Sequence, residues 1–212
     1  MHCTYNVRFY SNIYPRPQIS CAKVTVSVCP SYCDVLFLSD EHHPDLNLTK
    51  ELINDLSECA QITASCFNNQ PWRYIFVYDP EILEKMHEAL SQGNVWAHKA
   101  SMIIVVLGKQ EDDCVIHDRI YYRFDIGMAT SAMILRATEL GLVAHPIAGY
   151  SPRKTREILG IPDDIDVITL VIVGKHSDKI DPVLSDKQVE AEKKRPERIP
   201  IKKFVYLNKY KE

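Results

Sequence analysis

Residues 64–72, ASCFNNQPW, crowd a hydroxyl, a thiol and three carboxamides against a proline and a tryptophan. Ser65, Asn68, Asn69 and Gln70 can each donate and accept hydrogen bonds without carrying charge. Such a row suits the polar edge of a flat ligand better than it suits solvent. The same side chains also have a plain use, which is to satisfy the backbone of a turn. Trp72 reads as an anchor into the core rather than a ligand contact. Two further stretches stand out: the turn HPIAGY (145–150) and the basic run KKRPERIPIKK (193–203). None of the three offers a convincing general acid.

Several common catalytic and phosphate-binding motifs are missing. The chain has no GxGxxG, GxxxxGK[ST], GxSxG or HExxH. Its 7 glycines leave little material for a phosphate-cradling loop, so a phosphate would have to meet side-chain cations or a helix N-terminus. Cys29-x3-Cys33 and His42-His43 lack the second pair of ligands that a zinc site requires, and no metal site is assigned. A net charge of −3 gives no general attraction to nucleic acid or anionic lipid. The longest apolar run, MIIVVLG (102–108), is far too short to span a bilayer, and the first residues do not read as a signal peptide. With seven cysteines, an odd count, the expectation is a cytoplasmic, reducing setting with free thiols.

The elements that must position these residues follow from periodicity. Thr49 reads as the cap of a helix over 50–62, with Leu52, Ile53, Leu56, Cys59 and Ala60 on one stripe. RYIFVYD (73–79) is a strand, and Pro80 opens a helix to about Leu90. SMIIVVLG (101–108) and VITLVIVGK (167–175) are apolar throughout, as expected of buried strands. Residues 111–118 are polar and read as surface. A helix from about Tyr121 to Leu140 carries apolar residues almost all round, so it requires cover on most sides, and Gly141 ends it. LVAHPIAGY (142–150) is a strand running into a turn. Ser151, Pro152 and Gly160 delimit the next helix. One domain is expected over 47–212, its charged tail (178–212) forming an arm, after an atypical segment 1–46.

Taken in order, the Ser/Asn/Gln-Pro-Trp loop, the buried helix ending in ELGLVAHPIAGY, and Arg198-Ile199-Pro200-Ile201 resemble the nitroreductase family. The resemblance covers about residues 48–207. It implies an α+β fold: a three-layer α–β–α sandwich with a mostly antiparallel central sheet and a C-terminal arm. It also implies FMN, held by Ser65, Asn68, Gln70, the turn Pro146-Ile147-Ala148-Gly149 and Arg198, with Lys194 and Arg195 nearby. An amide-bearing loop fits the polar edge of an isoalloxazine, and a guanidinium fork fits its phosphate. The implied activity is transfer of hydride or electrons from NADH or NADPH to a nitroaromatic or quinone-type acceptor, by a ping-pong mechanism in a homodimer with FMN at the interface. One family feature is absent. The window 31–44, where the family carries an R-x-S-x-R motif, contains no arginine. The alternative is therefore a catalytically weakened flavin-binding or interaction protein of the same fold.

Overall fold

The computed structural model describes residues 50–177, 179–194 and 197–210. The segment 1–46, the Thr49 cap and Arg195 lie outside the described residues.

Four strands form the central sheet: β1 (Arg73–Val77), β2 (Met102–Gly108), β5 (Val143–Ile147) and β6 (Asp166–Gly174), in the order β1-β2-β6-β5. Every neighbouring pair is antiparallel. Strand β2 is buried along its whole length because both of its faces are covered. Its side chains alternate between two cores, as the period-two geometry of a strand dictates. Ile103, Val105 and Leu107 point into one, with Val77, Met86, Trp96, Leu170 and Ile172. Met102, Ile104 and Val106 point into the other, with Leu56, Tyr122, Ile126, Met133 and Val171. Burying a side chain of this kind contributes about 1.5–3 kcal/mol, so the two cores hold the sheet between them.

Helices complete the outer layers. On one face lie α1 (Lys50–Gln61) and α3 (Tyr122–Glu139). They are clipped together by Arg136, whose guanidinium donates to both oxygens of Asp55 at 2.7–3.1 Å. On the other face lie α2 (Pro80–His87), the 3-10 segment Gln92–Lys99 and α4 (Pro152–Leu159). The result is the three-layer α–β–α sandwich with an antiparallel centre that the sequence resemblance implied. Asp79 caps α2 with its carboxylate, which shortens the expected strand 73–79 by two residues. Gly141 sits at φ 76°, and the amides of Gly141 and Leu142 donate to Thr138 and Ala137, closing the C-terminus of α3.

Three elements depart from the sequence reading. Residues 92–99, between the expected helix and the strand at 101–108, form a 3-10 helix that buries Trp96 and Ala97. The polar stretch 111–118 contains half of a small hairpin, β3 (Val115–Ile116) with β4 (Arg119–Ile120). The tail begins with a helix, α5 (Asp186–Lys193), held by a capping box between Ser185 and Gln188. Beyond it, residues 197–210 are exposed throughout, including Ile199, Ile201, Phe204, Leu207 and Tyr210. No helix among the described residues is long and apolar enough to cross a membrane.

Candidate functional site

The loop between α1 and β1 is tightly wound. Phe67, Asn68 and Gln70 all have positive φ, at 48°, 60° and 52°. For residues with a Cβ this conformation costs roughly 1–2 kcal/mol each, less for Asn, so something must hold it. The Ser65 hydroxyl accepts from the Gln70 amide at 2.9 Å, and the Gln70 side chain donates to the Asn68 carbonyl at 3.3 Å. Asp125, on the first turn of α3, accepts from the Cys66 amide at 2.6 Å. Asn69 donates to Asp113 at 3.2 Å. Pro71 is buried and Trp72 packs on the core under α3, so the loop is rooted at its C-terminal end. The plain use of these amides therefore accounts for Gln70 and the Ser65 hydroxyl. It does not account for Asn68: its carboxamide is exposed and has no partner among the described residues.

Asp125 is only 2% exposed, and burial raises its pKa above the ordinary carboxylate range, with Asp113 adding to the effect and the Cys66 amide opposing it. Sequence reading passes over this residue. Its signal is an acid on the buried stripe of a helix, beside Ile126 and four residues before Ala129. The expectation of free thiols fails at Cys66 and Cys114, which form a disulfide with Cα atoms 6.1 Å apart. Cys59 remains free.

The second half of the candidate site is the turn after β5. Ile147 is 5% exposed and lies in the core, with its carbonyl accepting from the Thr169 hydroxyl at 2.9 Å. Its side chain cannot reach a ligand, so any role it has belongs to the backbone. Pro146 and Ala148 are exposed. Gly149 is locked: its carbonyl accepts from the Ser91 amide at 2.9 Å and from the Asn94 side chain at 2.8 Å. A Cβ there would lie 2.5 Å from both Asn94 Nδ2 and Ser91 Oγ. Gly149 is thus required for close packing on the 3-10 segment, and its expected contact with a cofactor is not needed to explain it.

Topology fixes how the halves relate. β1 begins, and β5 ends, at the same end of the sheet, as the registers Arg73↔Leu107, Leu107↔Val167 and Ile147↔Leu170 require. They occupy opposite edges, with β2 and β6 between. Three strand spacings place them about 14 Å apart laterally. One chain therefore aligns the loop and the turn without bringing them together. Arg198 is exposed in the arm, beyond α5. A groove of about 620 Å³ runs beside the loop along α3, lined by Thr63, Phe124, Met128, Ala132 and Leu135. Phe124 is 62% and Leu135 41% exposed, so the second apolar side of α3 is uncovered.

The antiparallel three-layer sandwich thus carries an amide loop at one sheet edge, a backbone turn at the other and an open apolar helix face. Comparison with known proteins gives this fold its family. A sequence model described as the nitroreductase family matches residues 92–175. A protein of Archaeoglobus fulgidus, provisionally named an NADH dehydrogenase/NAD(P)H nitroreductase, is 31% identical over 148 residues, covering 66% of this chain and 80% of its own. The NADH dehydrogenase of Thermus thermophilus is 27% identical over 154 residues, covering 58% of this chain and 75% of its own. Among solved structures, one described as an oxidoreductase containing FMN superposes with a TM-score of 0.71 at 24% identity, over 98% of both chains. A nitroreductase family protein of Clostridium difficile gives 0.65 at 22% identity, over 84% of this chain and 94% of its own. The chain belongs to the nitroreductase family and is an oxidoreductase of that flavin-dependent class.

Proposed function

We propose that the protein is an FMN-dependent oxidoreductase that passes reducing equivalents from NADH or NADPH to a small organic acceptor of the nitroaromatic or quinone type. It works as a cytoplasmic homodimer, where its pyridine nucleotide donor is regenerated. The observation that carries this reading is the free Asn68 carboxamide at the end of the sheet where the 146–149 turn also emerges, in a chain of this family.

The residues present fit the cofactor. Asn68 offers a donor and an acceptor to the polar edge of the ring, and Ser65 and Gln70 keep the loop in the shape that presents it. Exposed Pro146 and Ala148, with the backbone of Ile147 and Gly149, supply a flat, apolar surface. Arg198 is an exposed guanidinium suited to the phosphate, in a segment that also carries Lys194, Lys202 and Lys203. When bound, the flavin supplies the hydride acceptance and release that no side chain here can perform. The protein's part is to bind, orient and exclude water.

A second copy supplies what one chain lacks. Docking of the uncovered α3 faces about a two-fold axis buries Phe124, Met128 and Leu135, while Gly127, Ser131 and Ala132 allow close approach. It also brings the turn of one chain toward the loop of the other. The exposed arm residues Ile199, Ile201, Phe204 and Leu207 suit a segment that lies on a neighbour.

A second reading rests on the arginine-free window 31–44: the protein binds flavin but turns over poorly. Anaerobic addition of NADH or NADPH to the FMN-loaded protein separates the two. Loss of the flavin's visible absorbance supports the oxidoreductase. Bound FMN that neither nucleotide reduces supports the second reading. Failure to take up FMN removes both.

A further inference from the structure

We infer that the Cys66–Cys114 pair is a thiol–disulfide exchange site, and that its redox state sets the conformation of the loop that presents Asn68. The inference rests on the reading of that loop as the cofactor loop. The cross-link joins two connecting segments, not two core elements: Cys66 lies in the loop before β1 and Cys114 just before β3. Cys66 is half-buried and Cys114 lies deeper beside Asp113, so an external thiol approaches from the Cys66 side. The two cores are already extensive, and a domain of this size needs no staple to fold.

What the bond does hold is local. It pins the residue before Phe67 and Asn68, the first two of the positive-φ positions. Noncovalent support comes from the Asp125 carboxylate on the Cys66 amide at 2.6 Å and from Asn69 on Asp113 at 3.2 Å. The Asn69 side chain also approaches Cys114 Sγ at 3.5 Å. Asp113 Oδ2 is buried without a partner. On reduction the loop loses its covalent anchor, and two thiols are left facing the Asp113 carboxylate. The conformation with three left-handed residues then has less to hold it, and the Asn68 edge relaxes.

The exchange balances with a dithiol as the reductant. One thiolate of the dithiol attacks a sulfur of the pair, forming a mixed disulfide and releasing the other cysteine as a thiolate, which takes up a proton. The second thiol of the dithiol, losing its proton, attacks its own mixed disulfide and frees the remaining cysteine. The dithiol is oxidised to its disulfide by two electrons, and Cys66 and Cys114 are reduced to thiols.

Four measurements on the protein test this, using dithiothreitol as the dithiol. Peptide mass after alkylation reports the Cys66–Cys114 link, and amide hydrogen exchange reports the loop. The expected result is a cross-linked peptide in the oxidised protein, lost under native conditions with dithiothreitol and restored by diamide. Exchange at the amides of residues 67–70 quickens about tenfold on reduction, and Cys66→Ser exchanges like the reduced wild type in both conditions, with Tm in reductant unchanged. FMN affinity falls at least tenfold on reduction. Absence of the cross-linked peptide, resistance to dithiothreitol in the native state, or equal exchange in both states overturns the inference. If neither state binds FMN, the cofactor reading fails, and the mass and exchange results alone decide for or against the redox loop.

Discussion

The loop at residues 64–72 and the turn at 146–150 sit at the same end of the sheet and are built in opposite ways. The turn is fastened by backbone. Gly149, Tyr150 and Ser151 are all paired with residues 89–94 or within the turn, and Ile147 is sunk in the core. The loop's own backbone bonds, Asn68 to Ser65 and Asn69 to Cys66, stay within it; side chains and one cross-link tie it to α3 and to the segment before β3, with three strained residues and an aromatic, Phe67, 86% exposed. A surface fixed by backbone is a platform, the same in all states. A surface fixed by carboxylates, amides and sulfurs can respond to ligand, pH and redox state. In one chain the two are held apart, with two strands between them.

The largest effect is expected where the two are joined. Leu135→Glu places a charge on the open face of α3, and burying it in an interface costs several kcal/mol. Light scattering should show a monomer that keeps its far-UV circular dichroism and loses FMN. A variant that stays dimeric and yellow breaks the proposed role of that face.

The platform should be the less tolerant of the two. In Gly149→Ala the new Cβ meets Ser91 and Asn94 at 2.5 Å. Overpacking of this kind costs about 2–3 kcal/mol, which lowers Tm by about 4–12 °C in a chain of this length. Phe67→Ala in the loop should change stability by less than about 0.5 kcal/mol. Equal melting temperatures for the two variants would erase the contrast.

A smaller effect sharpens it from the loop side. Burial holds the Asp125 pKa above that of the unfolded chain. A raised acid contributes stability that is fully present below about pH 4 and is lost as pH rises through the folded value. Denaturant unfolding of Asp125→Asn across that range should lack this decline, while the amide oxygen still accepts from Cys66. Asp125→Ala, which leaves the Cys66 amide without its acceptor, should cost about 1–3 kcal/mol at all pH values. A pH dependence unchanged in Asp125→Asn would show that another group carries it.

Most of the sandwich was legible in the sequence because its elements bury continuous or periodic apolar faces. β2, β6 and α3 announce themselves as residues that only a core on both sides can cover. The antiparallel order came with the family resemblance rather than from periodicity, since a two-sided apolar strand says nothing of its direction. The hairpin at 115–120 was hidden because its strands are only two residues long, too short to show any alternation, and sit in a polar stretch. Helix α5 had a legible start, the Ser185-x-x-Gln188 box, but too weak an apolar face to be read without it. Of the site residues that the resemblance implied, Asn68, Pro146 and Ala148 are exposed. Ile147 and Gly149 do not offer their side positions, because core packing and backbone closure outrank recognition there. Asp125 and the Cys66–Cys114 bond escaped reading because they depend on contacts 59 and 48 residues apart in sequence. Local pattern carries no record of such pairs.

The central claim is that each site combines the loop of one chain with the turn of another, and mixing two defective proteins tests it. Asn68→Ala removes the amide edge, and Ala148→Trp blocks the turn at an exposed position. At an FMN concentration that fills the wild type, each variant alone should bind little. After subunit exchange, half the dimers are mixed and each holds one intact site of two, so about a quarter of wild-type FMN binding should return. A mixture that binds no more FMN than its two components would contradict a site shared between chains.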